Sequence, residues 1–249
     1  MRFWVRLVGL LAGVYALVAG ALNGKKWPSE KAWSVGAPLF WSWVAAGIVA
    51  LVAAFVEAGL ARRAAQGVRD NDLYITCRLI AGKIIGHCVP AGLDANLLTV
   101  SIWRTKKDNT FDRKAKFLLP LEFPPSGVDW KKGKGVAGWA WASGKPNHWA
   151  RLTDRSTMSA TYYDGLSEDK RLGMTYAEWG LVTAYKGVVV SALYATTGAS
   201  LLGFLVIDYR GPVRPKGTDL VFCIRDAVIN DGEIGQLRGG LVRRLQEKA

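Results

Sequence analysis

The stretch GKGVAGWAWASGKP, residues 133–146, carries glycines at a spacing that phosphate-binding loops use. Gly133, Gly135 and Gly138 match a dinucleotide fingerprint, but that fingerprint needs a strand that runs directly into its glycines. The preceding PPSGVDWKKGK is unsuited to a strand. A P-loop also fails, because five residues separate Gly138 from Gly144 and a proline follows the next lysine. The sequence therefore predicts neither type of phosphate cradle.

A short helix accounts for the same residues better. Small residues from Gly135 to Gly138 would let a helix lie close to a sheet. Gly144 would end the helix in the left-handed conformation, and Pro146 would prevent its continuation. We therefore predict a helix over residues 135–143, with glycines that serve close packing and chain reversal.

Strand-like and helix-like segments surround this helix. Hydrophobic runs at 97–103 and 116–123 precede it around a polar turn, and runs at 187–195 and 201–209 follow it as a hairpin. Helical periodicity marks three further segments, which are 72–87, 218–228 and 233–247. This order predicts an α+β fold in which helices flank an antiparallel sheet.

Three of these elements, in order, resemble the GAF domain family. They are the sequence GVAGWAWASGKP, the strand GFLVID at residues 203–208, and the helix that begins near Asp219. The resemblance covers about residues 72–230 and implies a GAF-like sheet flanked by helices. It also implies a ligand pocket over the sheet, beneath the variable connection 150–186. Proteins of that family are usually ligand-binding or dimerising sensor modules.

The variable connection and its borders are rich in aromatic and charged side chains. Aromatic rings and arginines together can stack on and pair with a planar anionic ligand. The candidate ligand-binding residues are Trp149, Arg151, Asp154, Tyr162, Tyr163, Trp179 and Tyr185. In the alternative, the aromatic side chains fill the pocket themselves, and the domain is a structural GAF scaffold without a ligand. The sequence identifies neither a ligand nor a cofactor.

The resemblance to the GAF family has limits that bear on function. The cyclic-nucleotide motif of phosphodiesterase-type GAF domains is absent, and residues 150–186 contain no cysteine for bilin attachment or thiol chemistry. His87 and His148 alone do not predict a metal site. Because no catalytic constellation with supporting spacing is present, we expect a binding or interaction module and not an enzyme.

Two hydrophobic segments precede the domain. Residues 3–22 carry one charge, Arg6, and residues 35–56 carry none, so each can span the hydrocarbon core of a bilayer. The polar turn 23–34 joins them into a hairpin. The predicted organisation is a transmembrane hairpin at 1–62, a linker at 63–71, a GAF-like domain at 72–232 and a C-terminal amphipathic helix at 233–249. Gly67 and Asn71 are expected to weaken the helix within the linker, and a new amphipathic helix is predicted from about residue 72.

Charge and cysteine content predict the orientation of the hairpin. Five arginines flank its outer ends and three lysines lie in the turn, which places both ends and the domain in the cytoplasm, at the inner membrane. The three cysteines form no CxxC motif, which agrees with a reducing compartment. In the alternative, residues 1–21 are a signal peptide, the second segment is a single anchor and the domain faces outward.

The expected partners follow from charge and pattern. The formal net charge of +13 is spread along the chain and no nucleic-acid motif is present, so no specific nucleic-acid binding is predicted. We expect the lipid bilayer, a small-molecule ligand, a protein partner and a second copy of the chain, with the helices at 73–88 and 234–245 as the dimer face. A rival hypothesis is an effector whose hairpins cluster on oligomerisation and disrupt the membrane.

Overall fold

The computed structural model of this chain describes residues 2–27, 29–34, 36–118, 127–152, 159–182, 184–198, 200–214 and 218–246. For residues 2–7, 62–66 and 68–70, it describes the backbone alone. The chain divides into two units, Met1–Arg69 and Asp70–Ala249.

The N-terminal unit is built from helices. Helix α1 spans Arg2–Gly24, a 3-10 turn follows at Glu30–Trp33, and helix α2 begins at Pro38 and ends at Cys88. Within α2, Pro38–Ala61 is long and apolar enough to cross a membrane, with a mean hydropathy of 2.2 and no buried residue. The apolar part of α1 with described side chains, Val8–Gly24, is shorter. The described residues thus contain one candidate span, so the predicted pair of transmembrane helices is supported only in part.

Helices α1 and α2 contact each other within this unit. The indole nitrogen of Trp43 donates a hydrogen bond of 2.8 Å to the carbonyl oxygen of Ala16. A Cβ atom added at Gly9 would lie 2.9 Å from the Cβ of Ala53, whereas one added at Gly13 would meet nothing within 4 Å. Gly9 therefore allows close packing inside one chain, which is one of the two roles that small residues can have on membrane helices.

The prediction of a new helix from about residue 72 is wrong, because α2 is helical without interruption from Pro38 to Cys88. Gly67 lies within the sequence ARRAAQGVRD, whose other residues include several strong helix formers. One glycine costs a helix only about 1 kcal/mol relative to alanine. That cost does not break a helix whose neighbouring turns are favourable.

The second unit contains a five-stranded sheet, which confirms the predicted antiparallel α+β fold. The strands are β1 (Leu98–Thr105), β2 (Phe111–Leu118), β3 (Asn147–Arg151), β4 (Gly187–Tyr194) and β5 (Leu201–Tyr209). Their spatial order is β2-β1-β5-β4-β3, and every neighbouring pair is antiparallel. Strand β5 therefore lies at the centre, and β2 and β3 form the edges.

Three details of the sheet region differ from the sequence prediction. Strand β2 begins at Phe111 instead of residue 116, because the turn after β1 is only a few residues long. Strand β3 was not predicted, since its sequence NHWAR lacks an alternating apolar pattern. The connection predicted to be irregular contains three short helices, α4 (Ala160–Asp164), α5 (Glu168–Arg171) and α6 (Tyr176–Leu181).

Helices cover one face of the sheet. They are the last part of α2 together with α7 (Leu220–Asn230) and α8 (Gly232–Gln246). The apolar stripe predicted on α2 is entirely buried in this core, and its members are Leu73, Cys77, Ile80, Ile84 and Cys88. On α8, Ile234, Leu241 and Leu245 are buried in the same core. The two stripes expected at a dimer face therefore pack inside the chain's own domain.

The predicted short helix covers the opposite face. Helix α3 spans Gly135–Ser143, as predicted, and Gly144 ends it with a φ of 67°. A Cβ atom on Gly138 would clash with the carbonyl oxygen of Lys131, and one on Gly135 would clash with the Trp130 ring. Residue 131 forms only an isolated bridge with Thr110, so no strand runs into these glycines. Their packing role is confirmed.

We predict opposite effects for two glycine-to-alanine substitutions in helices. Gly138→Ala should lower stability by about 1–3 kcal/mol, because the added methyl group displaces the backbone at Lys131. Gly82→Ala in α2 should raise it by about 0.5–1 kcal/mol, because a Cβ there meets nothing within 4 Å and alanine is the better helix former. Thermal unfolding of the full chain in detergent measures both. A neutral Gly138→Ala would contradict the close packing of α3.

Candidate functional site

A cavity of about 510 Å³ lies on the face of the sheet that α3 covers. Side chains from three adjacent strands form its floor, the start of α3 forms one wall, and residues between β3 and β4 cover it. The floor residues are Ser101, Arg113, Lys116, Val206 and Asp208. Aromatic side chains that line it are Trp103, Phe111, Trp130 and Tyr185. Such a volume and such a mixture of apolar walls with a few polar groups are typical of small-molecule sites.

The described residues between β3 and β4, which we call the cover, are joined to the start of α3 by direct contacts. The amide of Gly135 donates to the carbonyl oxygen of Leu172 at 2.8 Å. The ammonium group of Lys134 donates to the carboxylate of Glu178 at 2.6 Å, and these side chains are only 14% and 20% exposed. Because this pair is mostly buried, solvent and salt screen its attraction less than that of a surface ion pair. A Cβ atom on Gly173 would clash with the carbonyl oxygen of Gly133, so the two chain segments touch directly.

Two predicted ligand-binding residues lie inside the cover instead of lining the cavity. Tyr163 and Trp179 are 5% and 4% exposed, and their ring centroids are 5.6 Å apart in an edge-to-face arrangement. The Tyr163 hydroxyl donates to the carbonyl oxygen of Met174. Both rings belong to the buried core of the cover, and the exposed ring of Tyr176 lies 5.6 Å from that of Tyr163. Tyr162 is 57% exposed and does not line the cavity.

Two other predicted residues lie on the opposite face of the sheet. Trp149 packs against the core that contains α7, and its ring centroid is 6.1 Å from that of Phe222. The Arg151 guanidinium pairs with Asp219 and lies 5.1 Å from the centre of the Phe222 ring. The structure thus brings Trp149 and Arg151 together, away from the cavity.

Tyr185 is the predicted residue that lines the cavity. The Arg210 guanidinium carbon lies 4.8 Å from the centre of its ring, and an Arg210 nitrogen donates to its hydroxyl at 3.3 Å. Asp154 lies outside the described residues. Ligand binding by any of the seven residues stays a prediction.

The sequence analysis missed the charged residues of the cavity floor. Lys116 and Asp208 lie in segments that were treated only as strands of the sheet. The available signal for Asp208 was a single charge in a strand that is otherwise apolar, GFLVIDY. Since successive side chains point to opposite faces of a sheet, that charge must face either solvent or a polar cavity.

Burial in the cavity floor raises the pKa of Asp208 to about 6, although Arg210, Lys116 and Arg113 act in the opposite direction. Burial also raises the pKa of Tyr185, with the nearby Asp208 as a second cause. In the cover, the hydrogen bond from Lys134 lowers the pKa of Glu178. The site therefore contains two carboxyl groups whose titration is shifted in opposite directions.

No protein-family model matches the sequence, and no curated protein matches it. Solved structures with similarity include a GAF sensor protein from Burkholderia vietnamiensis, at 15% identity and a TM-score of 0.31, over 72% of this chain and 92% of that one. Another is the phycoerythrobilin-bound GAF domain of a cyanobacterial phytochrome, at 12% identity and a TM-score of 0.38, over 77% and 97%. A third is a methyl-accepting chemotaxis protein, at 15% identity and a TM-score of 0.36, over 74% and 99%.

Two of these similar structures are GAF domains by description, the family that the sequence motifs resemble.

The two shifted carboxyl groups predict opposite changes in pH-dependent stability. For Asp208, the folded pKa of about 6 lies above the usual value, so its favourable contribution is complete at low pH and is lost as pH rises through about 6. Asp208→Asn should therefore raise the melting temperature at pH 7.5 more than at pH 4.5. For Glu178, the folded pKa lies below its usual value, so its contribution is present near neutrality and is lost as pH falls through the folded value.

Glu178→Gln should accordingly lower the melting temperature at pH 7.5 and have little effect at the acid end of the range. Thermal unfolding of the full chain and both variants between pH 4 and 8 measures the two trends. If the melting temperatures of Asp208→Asn and of the unsubstituted chain change with pH in parallel, the raised pKa of this partly buried carboxyl group is contradicted.

Proposed function

We propose that this chain is a membrane-anchored, GAF-like sensor that binds a small molecule in the cavity over its sheet, and that it is not an enzyme. The observation that carries this proposal is the cavity itself, about 510 Å³ in volume with a charged floor and aromatic walls. A domain that used its aromatic residues only for packing would fill this space with them. Here Tyr163 and Trp179 fill the core of the cover, and the space beneath remains open.

The contacts between the cover and the start of α3 support a sensing role. Any ligand in the cavity would contact the start of α3 and the cover residues Leu172 and Met174. These same segments are joined by the Gly135–Leu172 hydrogen bond and the Lys134–Glu178 pair. A bound ligand would add contacts to both sides of this junction and so favour its closed arrangement.

The membrane part of the proposal rests on composition. The segment Pro38–Ala61 has the length and apolarity of a membrane span, and α1 contacts the same segment at Ala53. We propose that α1 and this segment form a multi-pass anchor in the inner membrane, with the domain in the cytoplasm. The arginine excess at the outer ends of the hairpin supports this orientation.

A second copy of the chain and a protein partner are the other proposed partners. Since the apolar stripes of α2 and α8 are buried in the chain's own core, a homodimer would need other surfaces. The exposed side chains of Ile75 and Leu79 on α2 offer one. A signal would then reach a protein partner or a second copy through α2, which contains both the candidate span and residues of the domain core.

Native mass spectrometry of the full chain tests ligand binding. We expect the chain, purified gently from cells, to carry a small molecule that is released on denaturation. Val206→Phe should abolish this retention, because Val206 lies in the cavity floor and a phenyl group would occupy the space. Val89→Phe is the matched control, since Val89 is 48% exposed and lies outside the cavity.

Retention of the molecule by Val206→Phe, or no bound molecule in the unsubstituted chain, would contradict the sensor proposal and favour a ligand-free scaffold. If Val206→Phe does not fold, Val182→Phe on the cover blocks the same space.

Alkaline extraction of membranes tests the anchor. The full chain should remain in the membrane pellet, whereas Leu51→Arg should shift a large part of it to the soluble fraction. The reason is that an arginine at the centre of a span costs about 2.5–3.5 kcal/mol of insertion free energy. Leu79→Arg, on the same helix but outside Pro38–Ala61, should leave the distribution unchanged. Release of the unsubstituted chain would contradict membrane anchoring.

A further inference from the structure

The charges that face the cavity define which ligand it suits. Ser101 on β1 is paired with Lys116 of β2 on one side and with Val206 of β5 on the other, so these residues form one row across the floor. Asp208 follows two positions along β5 and therefore faces the same side. The carboxyl group of Asp208 lies in the field of three cations, which are Arg210, Lys116 and Arg113.

The other elements around Asp208 add little opposing charge. The lining residue of β4, Val188, is apolar, and so are the α3 residues that line the cavity, Gly135, Val136 and Ala137. Tyr185 contributes a phenol whose pKa is raised by burial. Asp129 and Arg113 also line the cavity, but both are exposed, so solvent screens their charges. The less exposed charged groups around the floor are the cations Lys116 and Arg210 and the acid Asp208. Around the floor, therefore, cationic charge exceeds anionic charge.

The walls of the cavity favour a flat ligand. Trp103, Phe111, Trp130 and Tyr185 contribute ring surfaces around the floor. Ring surfaces stack on planar conjugated groups in offset or edge-to-face arrangements. A ligand that satisfies both the walls and the floor has a planar apolar body and one anionic group.

We propose that the cavity binds a planar organic acid, that Lys116 pairs with the acid's carboxylate, and that the carboxyl group of Asp208 takes up a proton and donates a hydrogen bond to the same carboxylate. This inference rests on the proposed sensor function and names the ligand class of its site. Two ionised carboxylates at hydrogen-bond distance repel each other, whereas one shared proton turns the pair into a strong charge-assisted hydrogen bond. Binding is therefore coupled to the uptake of one proton.

The proton coupling has a defined direction. In the unliganded protein the pKa of Asp208 is about 6, so this group is mostly ionised above neutral pH. The ligand's negative charge raises that pKa further, and the protein must then bind a proton together with the ligand. Affinity falls as pH rises above 6, by up to tenfold per pH unit, the limit for uptake of one proton.

Three probes with one ring system and different charges test the ligand class. They are 2-naphthoate, 2-naphthamide and 2-naphthylmethylammonium, titrated by calorimetry into the full chain in nanodiscs of neutral lipid, with empty nanodiscs as the blank. We expect 2-naphthoate to bind at least tenfold more tightly than the amide, and the ammonium probe to bind most weakly. Equal affinities, or tighter binding of the amide or the ammonium probe, would overturn the inference.

Substitutions assign the effect to named groups. Lys116→Met should weaken 2-naphthoate binding about tenfold or more and leave 2-naphthamide unchanged, because it removes a charge-assisted hydrogen bond that only the carboxylate makes. Lys107→Met, an exposed lysine outside the cavity, is the matched control and should change neither affinity. Asp208→Asn should make 2-naphthoate affinity nearly independent of pH between 6 and 8. A persistent pH dependence in Asp208→Asn would overturn the proton coupling.

The outcomes separate this inference from the sensor proposal. If none of the probes binds, or if charge does not matter, the organic-acid inference fails, while the sensor function still stands or falls on the retained molecule and its loss in Val206→Phe. If 2-naphthoate binds equally well to Val206→Phe, the cavity is not the site, and both proposals fail.

Discussion

The close contact between the start of α3 and the chain segments beside it is the constraint on which this site depends. Gly138 lies against the carbonyl of Lys131, Gly135 against the Trp130 ring, and Gly173 against the carbonyl of Gly133. No side chain larger than a hydrogen atom fits at these points. Because the backbones approach so closely, the Gly135–Leu172 hydrogen bond can form and the cover is held over the sheet. The cavity is the space that remains beneath this junction.

The same constraint explains a misleading sequence signal. A run of glycines ahead of a helix resembles a phosphate cradle, in which glycines let a backbone approach a pyrophosphate. Here the glycines let a backbone approach another backbone and an indole ring. A phosphate-binding loop of this type needs a strand directly before Gly133, and the described residues 127–132 form none there. The sequence alone predicts this absence, because PPSGVDWKKGK lacks the pattern of a strand.

Much of the fold could be predicted from periodicity and turn residues, since those features act locally. The limits of α3, the hairpin of β4 and β5, and the buried stripe of α2 follow from such patterns. The cavity could not be predicted in the same way. Aromatic side chains in a connection can fill a pocket or line it, and only tertiary packing decides; Tyr163 and Trp179 fill the cover while Tyr185 lines the space. Strand β3 was missed because an edge strand with a partner on one side needs little apolar sequence.

The electrostatics of the floor connect the fold to the proposed function. A partly buried acid in a central strand costs stability when it is ionised, and Asp208 is such an acid beside three cations. A site that serves only stability would more simply carry an apolar residue there. The arrangement is consistent with the binding site proposed above, whose ligand the charged floor would recognise.

The most direct test of the central claim is an experimental electron-density map of the full chain as purified from cells. The account predicts non-protein density in the cavity, in contact with Lys116 and Asp208 and stacked on at least one of the lining rings. A cavity closed by the chain's own side chains, with the cover collapsed onto the floor, would contradict it.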